Sequence, residues 1–215
     1  MPSGRVSRTP VVALVCSAGG LDALTQVLER LPADLPAAVL VLQHMDPEQH
    51  SHLPTILARR TALPVTAATD GTPLTPGRVL ACLSGQHTLI TAEETIALIP
   101  SGARPPYRPS ADLLLTTLAI AAGDRVITVV LSGYGNDAAT GATAVHHFGG
   151  TVIASSPQSS TQPEMPQATM DRDGVVDHVV PLDQVAAMLL ALVTAPVLHP
   201  DEPDHPPLPT TPATT

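Results

Sequence analysis

The chain alternates between short uninterrupted aliphatic runs and longer stretches in which apolar positions recur every three or four residues. Val11-Val-Ala-Leu-Val-Cys16, Ala38-Val-Leu-Val-Leu-Gln43 and Val126-Ile-Thr-Val-Val-Leu-Ser132 are runs of the first kind. Runs this apolar, without polar alternation, predict strands buried on both faces, the pattern of a parallel sheet. They place strands over 11–16, 37–43 and 126–132. Leu21, Leu24, Val27, Leu28 and Leu31 have helical spacing and predict a helix over 20–31. A second helix is expected near 49–60, with Pro54 in its first turn or kinking it. Short strands follow near 64–68 and 78–83. Thr88–Thr91 and Thr95–Ile99 flank Glu93-Glu94 and predict a β-hairpin. Ser110 is placed to cap a helix over 111–122, and Asp112 suits the positive end of that helix. The strand over 126–132 leads to a helix over 138–148 and a strand over 151–155. A Pro- and Ser-rich loop at 156–166, a strand over 175–180 and a helix over 182–193 complete the pattern. The fold class this predicts is α/β: a doubly wound, mostly parallel sheet with helices on both faces and one antiparallel β-hairpin.

The alternation stops at Pro196. Residues 196–215 hold seven prolines, three acids and no basic residue. Such a segment buries too little apolar surface to offset its ordering entropy. The expected organisation is an N-terminal extension over 1–10, one domain over 11–195 and a disordered Pro-rich tail over 196–215.

Three of the predicted strands end at a polar residue of chemical interest. Ser17 stands in the turn Cys16-Ser17-Ala18-Gly19-Gly20, between a strand and a helix. Glycines permit a sharp turn there, and the helix N-terminus offers unbonded N–H groups and partial positive charge. That environment suits the oxyanion formed when a serine attacks an ester carbonyl. The same turn is compatible with a phosphate-binding loop, although it lacks both the Gly-x-Gly-x-x-Gly pattern and a Walker lysine. His44 closes an apolar strand and can accept a proton near neutral pH; a structural histidine bonded to a backbone carbonyl fits equally well. Gln43, its neighbour, faces the other way by strand alternation. Asp137 lies in Gly133-Tyr-Gly-Asn-Asp-Ala-Ala-Thr-Gly141. It can orient a histidine, or it or Asn136 can simply cap the helix that follows. In open parallel sheets, chemistry is done at the carboxyl ends of strands. Serine, histidine and aspartate at three such ends point to hydrolysis by a serine nucleophile.

Composition narrows the alternatives. The chain has 215 residues, a formal net charge of −9, no tryptophan, one phenylalanine and two tyrosines. The core must therefore be built from alanine, valine and leucine. The acidic balance argues against nucleic acid or an anionic membrane surface as a partner. No apolar stretch approaches the ~20 residues of a membrane span. The N-terminus lacks the basic and apolar regions of a secretory signal. Cys16 and Cys82 do not make a disulfide framework and read as buried strand residues. A cytoplasmic location is expected. His44, His50 and His52 do not follow a zinc-ligand spacing, and no companion Cys or acidic motif supports a metal. His146-His147 occupy adjacent helical positions and point in different directions.

Taken jointly, these segments resemble the catalytic domain of the bacterial chemotaxis protein-glutamate methylesterases, the CheB family, over about residues 11–193. The matching pieces are Ser17-Ala-Gly-Gly20, Gln43-His44-Met45 and Ser132-Gly-Tyr-Gly-Asn-Asp137-Ala-Ala-Thr-Gly141. Asp70-Gly71 with Pro76-Gly77, Arg108-Pro109-Ser110-Ala-Asp112 and Met165-Pro166 add to them. The resemblance implies hydrolysis of glutamate γ-methyl esters on chemoreceptors, with deamidation of selected glutamines. It implies Ser17 as nucleophile, His44 as general base and then acid, and Asp137 as the orienting carboxylate. Backbone N–H groups of Ala18 and Tyr134 are the implied oxyanion hole, and no metal or organic cofactor is called for. The implied partner is a methylated chemoreceptor-like protein. Three positions depart from the family pattern. Ala18 replaces a threonine, Tyr134 replaces a methionine, and Ser84-Gly85-Gln86-His87 replaces a Pro-Gly-Asp-X-His segment. The family's N-terminal phosphoreceiver domain has no counterpart in this sequence, so the site is expected to be open or controlled by a separate regulatory protein. A catalytically weak scaffold for a chemosensory pathway and a hydrolase of small esters or amides are the competing readings.

Overall fold

In the computed structural model, residues 9–102 and 108–195 are described. The expected tail at 196–215, and all but the end of the expected extension at 1–10, lie outside them. Seven strands form one parallel sheet. They are β1 (Val11–Cys16), β2 (Ala38–Gln43), β3 (Val65–Ala67), β4 (Arg78–Ala81), β7 (Val126–Val130), β8 (Thr151–Ser155) and β9 (His178–Val180). Their spatial order is β3-β4-β2-β1-β7-β8-β9. β5 (Gln86–Ile90) and β6 (Ile96–Pro100) form the separate antiparallel hairpin. The helices are α1 (Gly20–Leu28), α2 (Leu53–Ala58), α3 (Ala111–Ala122), α4 (Ala139–His147), α5 (Glu164–Met170) and α6 (Val185–Thr194). The α/β, doubly wound class read from the sequence is the class observed. No helix among the described residues is long and apolar enough to cross a membrane.

The continuous aliphatic runs become central strands because each strand face meets a helical layer. All six residues of β1 are buried. Val12, Leu14 and Cys16 pack with Leu24, Val27 and Leu28 of α1 and with Leu189 and Val193 of α6. Val11, Ala13 and Val15 pack on the other side with Leu114, Leu115 and Leu118 of α3 and with Ala142 and Val145 of α4. β2 divides in the same way: Val39 and Val41 go to the first cluster, Leu40 and Leu42 to the second. Period-two alternation therefore carries both Ser17, after Val15, and His44, after Leu42, toward the α3–α4 side. Both cysteines are buried, and burial raises both thiols, Cys82 to about 11.

From β1 the chain proceeds outward to β2 and then to β3 and β4, and only afterwards crosses to β7 on the other side of β1. The reversal opens a crevice at the carboxyl ends of β1 and β7, the usual ligand position in this class of sheet.

Several boundaries differ from the sequence reading. α1 stops at Leu28 rather than 31, its last turn loosening ahead of Pro32. α2 covers only Leu53–Ala58 of the expected 49–60, with Pro54 in its first turn. The strand expected over 175–180 begins at His178. Before it, the Asp177 carboxylate accepts from the Val152 amide at 2.7 Å and takes the place of a ladder bond. The last helix opens with a 3₁₀ turn at Leu182–Gln184. The loop expected over 156–166 ends early, because Glu164 begins α5, a helix absent from the sequence reading.

Candidate active site

β1 and β2 pair in parallel with Cys16 opposite Gln43, and the ladder continues one step as the His44 amide bonds the Cys16 carbonyl at 3.0 Å. On the other side the Ser17 amide bonds the Ser132 carbonyl beyond β7 at 2.9 Å. Ser17, His44 and Ser132 thus stand at one level of three adjacent strands. Asp137 lies five residues past Ser132 in the turn leading to α4, and its carboxylate returns to the same level. His44 Nε2 and Asp137 Oδ2 are 2.8 Å apart, with side-chain exposures of 9% and 4%. Ser17 Oγ makes no hydrogen bond among the described residues, consistent with catalytic contacts that tighten only around substrate. The structure joins His44 to Asp137 and sets Ser17 just past the end of β1, beside the end of β2 that leads to His44.

Asp137 does not cap its own helix. Its Oδ1 accepts from Ser110 Oγ at 3.0 Å and the Asp112 amide at 2.9 Å, and its Oδ2 also accepts from the Ala111 amide at 2.6 Å. The carboxylate therefore sits on the N-terminus of α3, a neighbouring helix, where unbonded amides and the helix dipole favour negative charge. Burial alone would raise its pKa. The bonds from His44 and from the Asp112 and Ala111 amides outweigh burial and hold the carboxyl below its ordinary value. An ionised carboxylate fixed in this way can hold the imidazole in one tautomer and stabilise it when protonated.

Ser110 has two roles: its hydroxyl also accepts from the Leu113 amide as the cap of α3, as expected. The Ser110 amide in turn donates to His87 Nδ1 at 2.9 Å. His87 was noted in the sequence only as part of a departure from the family pattern. Its bond to Ser110 could not be read there, because the hairpin and α3 meet only in the fold.

The amides of Ala18 and Tyr134, proposed from the sequence for an oxyanion, have no acceptor among the described residues. Ser132 Oγ donates to the Ala18 carbonyl at 2.8 Å and accepts from the Gln162 amide at 2.9 Å, tying the turn after β1 to the segment before α5. The Met165 amide bonds the Gly133 carbonyl at 2.9 Å, and the Gly135 amide bonds Glu164 Oε2 at 3.2 Å. α5 thus braces the Gly133-Tyr134-Gly135 turn from outside. The Tyr134 side chain is half-exposed.

His50 and His52 meet edge to face, with centroids 5.4 Å apart. His146 and His147 diverge as expected: His146 faces Asp177, and the His147 ring abuts Phe148. No group of three or more His, Cys, Asp or Glu residues among the described residues is arranged to hold a metal ion.

The doubly wound α/β sheet thus brings serine, histidine and aspartate together near its switch point. A family model described as CheB methylesterase matches residues 12–189. A protein-glutamate methylesterase/protein-glutamine glutaminase of Moorella thermoacetica is 37% identical over 195 residues, covering 89% of this chain and 46% of that protein. The protein-glutamate methylesterase/protein-glutamine glutaminase 3 of Myxococcus xanthus is 37% identical over 193 residues, covering 90% of this chain and 53% of that protein. The crystal structure of the Thermotoga maritima CheB methylesterase catalytic domain superposes with a TM-score of 0.81 at 30% identity, covering 86% of this chain and 100% of that one. The chain belongs to the CheB methylesterase family. It spans about half the length of the curated relatives it matches.

Proposed function

We propose that this chain hydrolyses glutamate γ-methyl esters on a chemoreceptor-like protein, using Ser17, His44 and Asp137, and that it also deamidates glutamines at such sites. Ser17 Oγ attacks the γ-carbonyl while His44 takes its proton. With Nε2 engaged by Asp137, Nδ1 is the accepting atom. The oxyanion faces the Ala18 and Tyr134 amides. The tetrahedral intermediate expels methanol, to which His44 returns the proton. Water, deprotonated by His44, then attacks the acyl-serine, releasing glutamate and restoring the Ser17 hydroxyl. With a glutamine, ammonia leaves in place of methanol.

The observation that carries this reading is the buried His44–Asp137 bond at 2.8 Å, its carboxylate held ionised by the start of α3, at the level of Ser17. The family and the names of the relatives supply the ester class. The site acts in the cytoplasm, on the receptor's cytoplasmic helices. The test is methanol release from methylated receptor helices. Wild type should release methanol, and a folded Ser17→Ala variant should be slower by roughly 10⁴-fold or more. Equal rates would give the wrong nucleophile. Wild-type protein that binds the helices without releasing methanol would be a scaffold, and one that cleaves only small esters would have a different substrate.

A further inference from the structure

Asp112 is a half-buried carboxylate beside Asp137 that the proposed reaction does not use. Its Oδ1 accepts from the Ala138 amide at 3.0 Å and the Gly141 amide at 2.7 Å. These amides belong to the start of α4. The two helices therefore exchange caps: Asp137, just ahead of α4, bonds the first amides of α3, and Asp112, in the first turn of α3, bonds the first amides of α4. A close approach makes the exchange possible. A Cβ on Gly141 would lie 2.6 Å from Leu115 Cβ and 3.1 Å from Asp112 Cα, so only glycine lets α4 come this near.

The exchange has a cost, which marks it as more than helix capping. Burial pushes Asp112 above its ordinary pKa, and the charge of Asp137 adds to that rise against the bonds from Gly141 and Ala138. Ala138, the first acceptor's partner, is held at φ +110°, a backbone region that alanine rarely adopts. A like charge and an unfavourable backbone angle are both maintained next to Asp137. Strained positions of this kind persist where the surroundings over-determine them.

We infer that Asp112 is the positioning residue for Asp137: by pinning the Ala138 amide it fixes the turn that aims the Asp137 carboxylate at His44. Without that pin, Ala138 relaxes toward negative φ, and the carboxylate one residue before it swings away from His44 Nε2. The acceptor's position matters here, and its charge does not. The kinetic part of the inference rests on the hydrolase reading above; the geometric part does not.

The test uses three variants of the full chain: Asp112→Ala, Asp112→Asn and Asp112→Glu. Two readouts are followed: kcat and KM on methylated receptor helices, and the downfield proton resonance of the His44–Asp137 hydrogen bond. Asp112→Ala should lose about a hundredfold in kcat with KM unchanged, the size of effect expected from an ångström-scale misplacement, and its resonance should shift or broaden. Asp112→Asn presents an acceptor at the same reach and should recover both kcat and the resonance. Asp112→Glu keeps the charge but displaces the acceptor by a methylene, and should resemble the alanine variant. Where the alanine protein does not fold, the order of asparagine over glutamate decides. Glutamate outperforming asparagine, or an unmoved resonance in Asp112→Ala and Asp112→Glu, overturns the inference. If wild type hydrolyses no ester, the resonance still tests Asp112 on its own.

Discussion

Gly133→Ala puts the placement of Ser17, the proposed nucleophile, under direct strain. A Cβ at this position would lie 2.7 Å from Met165 Sδ, 2.7 Å from Ser17 Cβ and 3.0 Å from the Ser17 nitrogen. Non-bonded carbon atoms settle at about 3.5–4.0 Å, so the new methyl is roughly an ångström too close on two sides. Met165 is fully buried and has little room to withdraw. The Ser17 backbone is held by its bond to Ser132, so relief has to come by shifting the turn after β1 and the turn after β7 apart. Overpacking of this kind costs about 1–3 kcal/mol of stability. A displacement of about 1 Å in a catalytic group costs about a hundredfold in rate. Thermal unfolding and ester hydrolysis, measured on the same preparation, should show a folded protein with a reduced melting temperature and kcat down by about two orders of magnitude. Wild-type kcat in a folded Gly133→Ala protein would refute the claim that contact between the ends of β1 and β7 sets the position of Ser17.

Two further substitutions test the turn and the carboxylate. Ala138→Gly should relieve about 1–2 kcal/mol of backbone strain at φ +110° against about 0.5–1 kcal/mol of added unfolded-state entropy. The melting temperature should rise by a few degrees, and a fall would show that the angle is not strained. Asp137→Asn should change the acid limb of stability. The Asp137 pKa is depressed in the folded state, so its contribution is present above the unfolded value of about 3.9 and is lost as pH falls through the folded value. The gap in melting temperature between wild type and Asp137→Asn should therefore be wide near neutrality and narrow below about pH 4. A gap constant down to pH 3 would remove the argument that Asp137 is held ionised by its four hydrogen bonds.

The central strands were legible in the sequence because burial on both faces leaves an unmistakable mark: β1, β2 and β7 are runs of Val, Leu, Ile and Ala broken only by Cys16, Gln43 and Thr128. Strand alternation likewise predicts the shared face of Ser17 and His44, and the Ser110 cap followed a local rule that the structure obeys. Asp137 shows where local rules stop. Capping rules look at the helix next in sequence, and for Asp137 that is α4. The amides it bonds belong to α3, some 25 residues earlier, and Asp112 answers across the same distance. Nothing in either local sequence announces the exchange. α5 was missed for a different reason. It has only seven residues, begins at Pro163-Glu164 and buries just Met165, Pro166 and Thr169, too little periodicity to stand out from a Pro-rich loop. Its contacts with the Gly133-Tyr134-Gly135 turn are what make it matter to the site.

The most direct measurement of the central claim is mass spectrometry of the protein after treatment with a fluorophosphonate, which forms a stable covalent adduct with an activated serine. The account predicts a single adduct on the peptide containing Ser17. It should be absent in Ser17→Ala, and its formation should be greatly slowed in His44→Gln, where the hydroxyl has no base. Adducts spread over the other serines, or labelling at Ser17 that is indifferent to the loss of His44, would contradict an activated nucleophile at the end of β1.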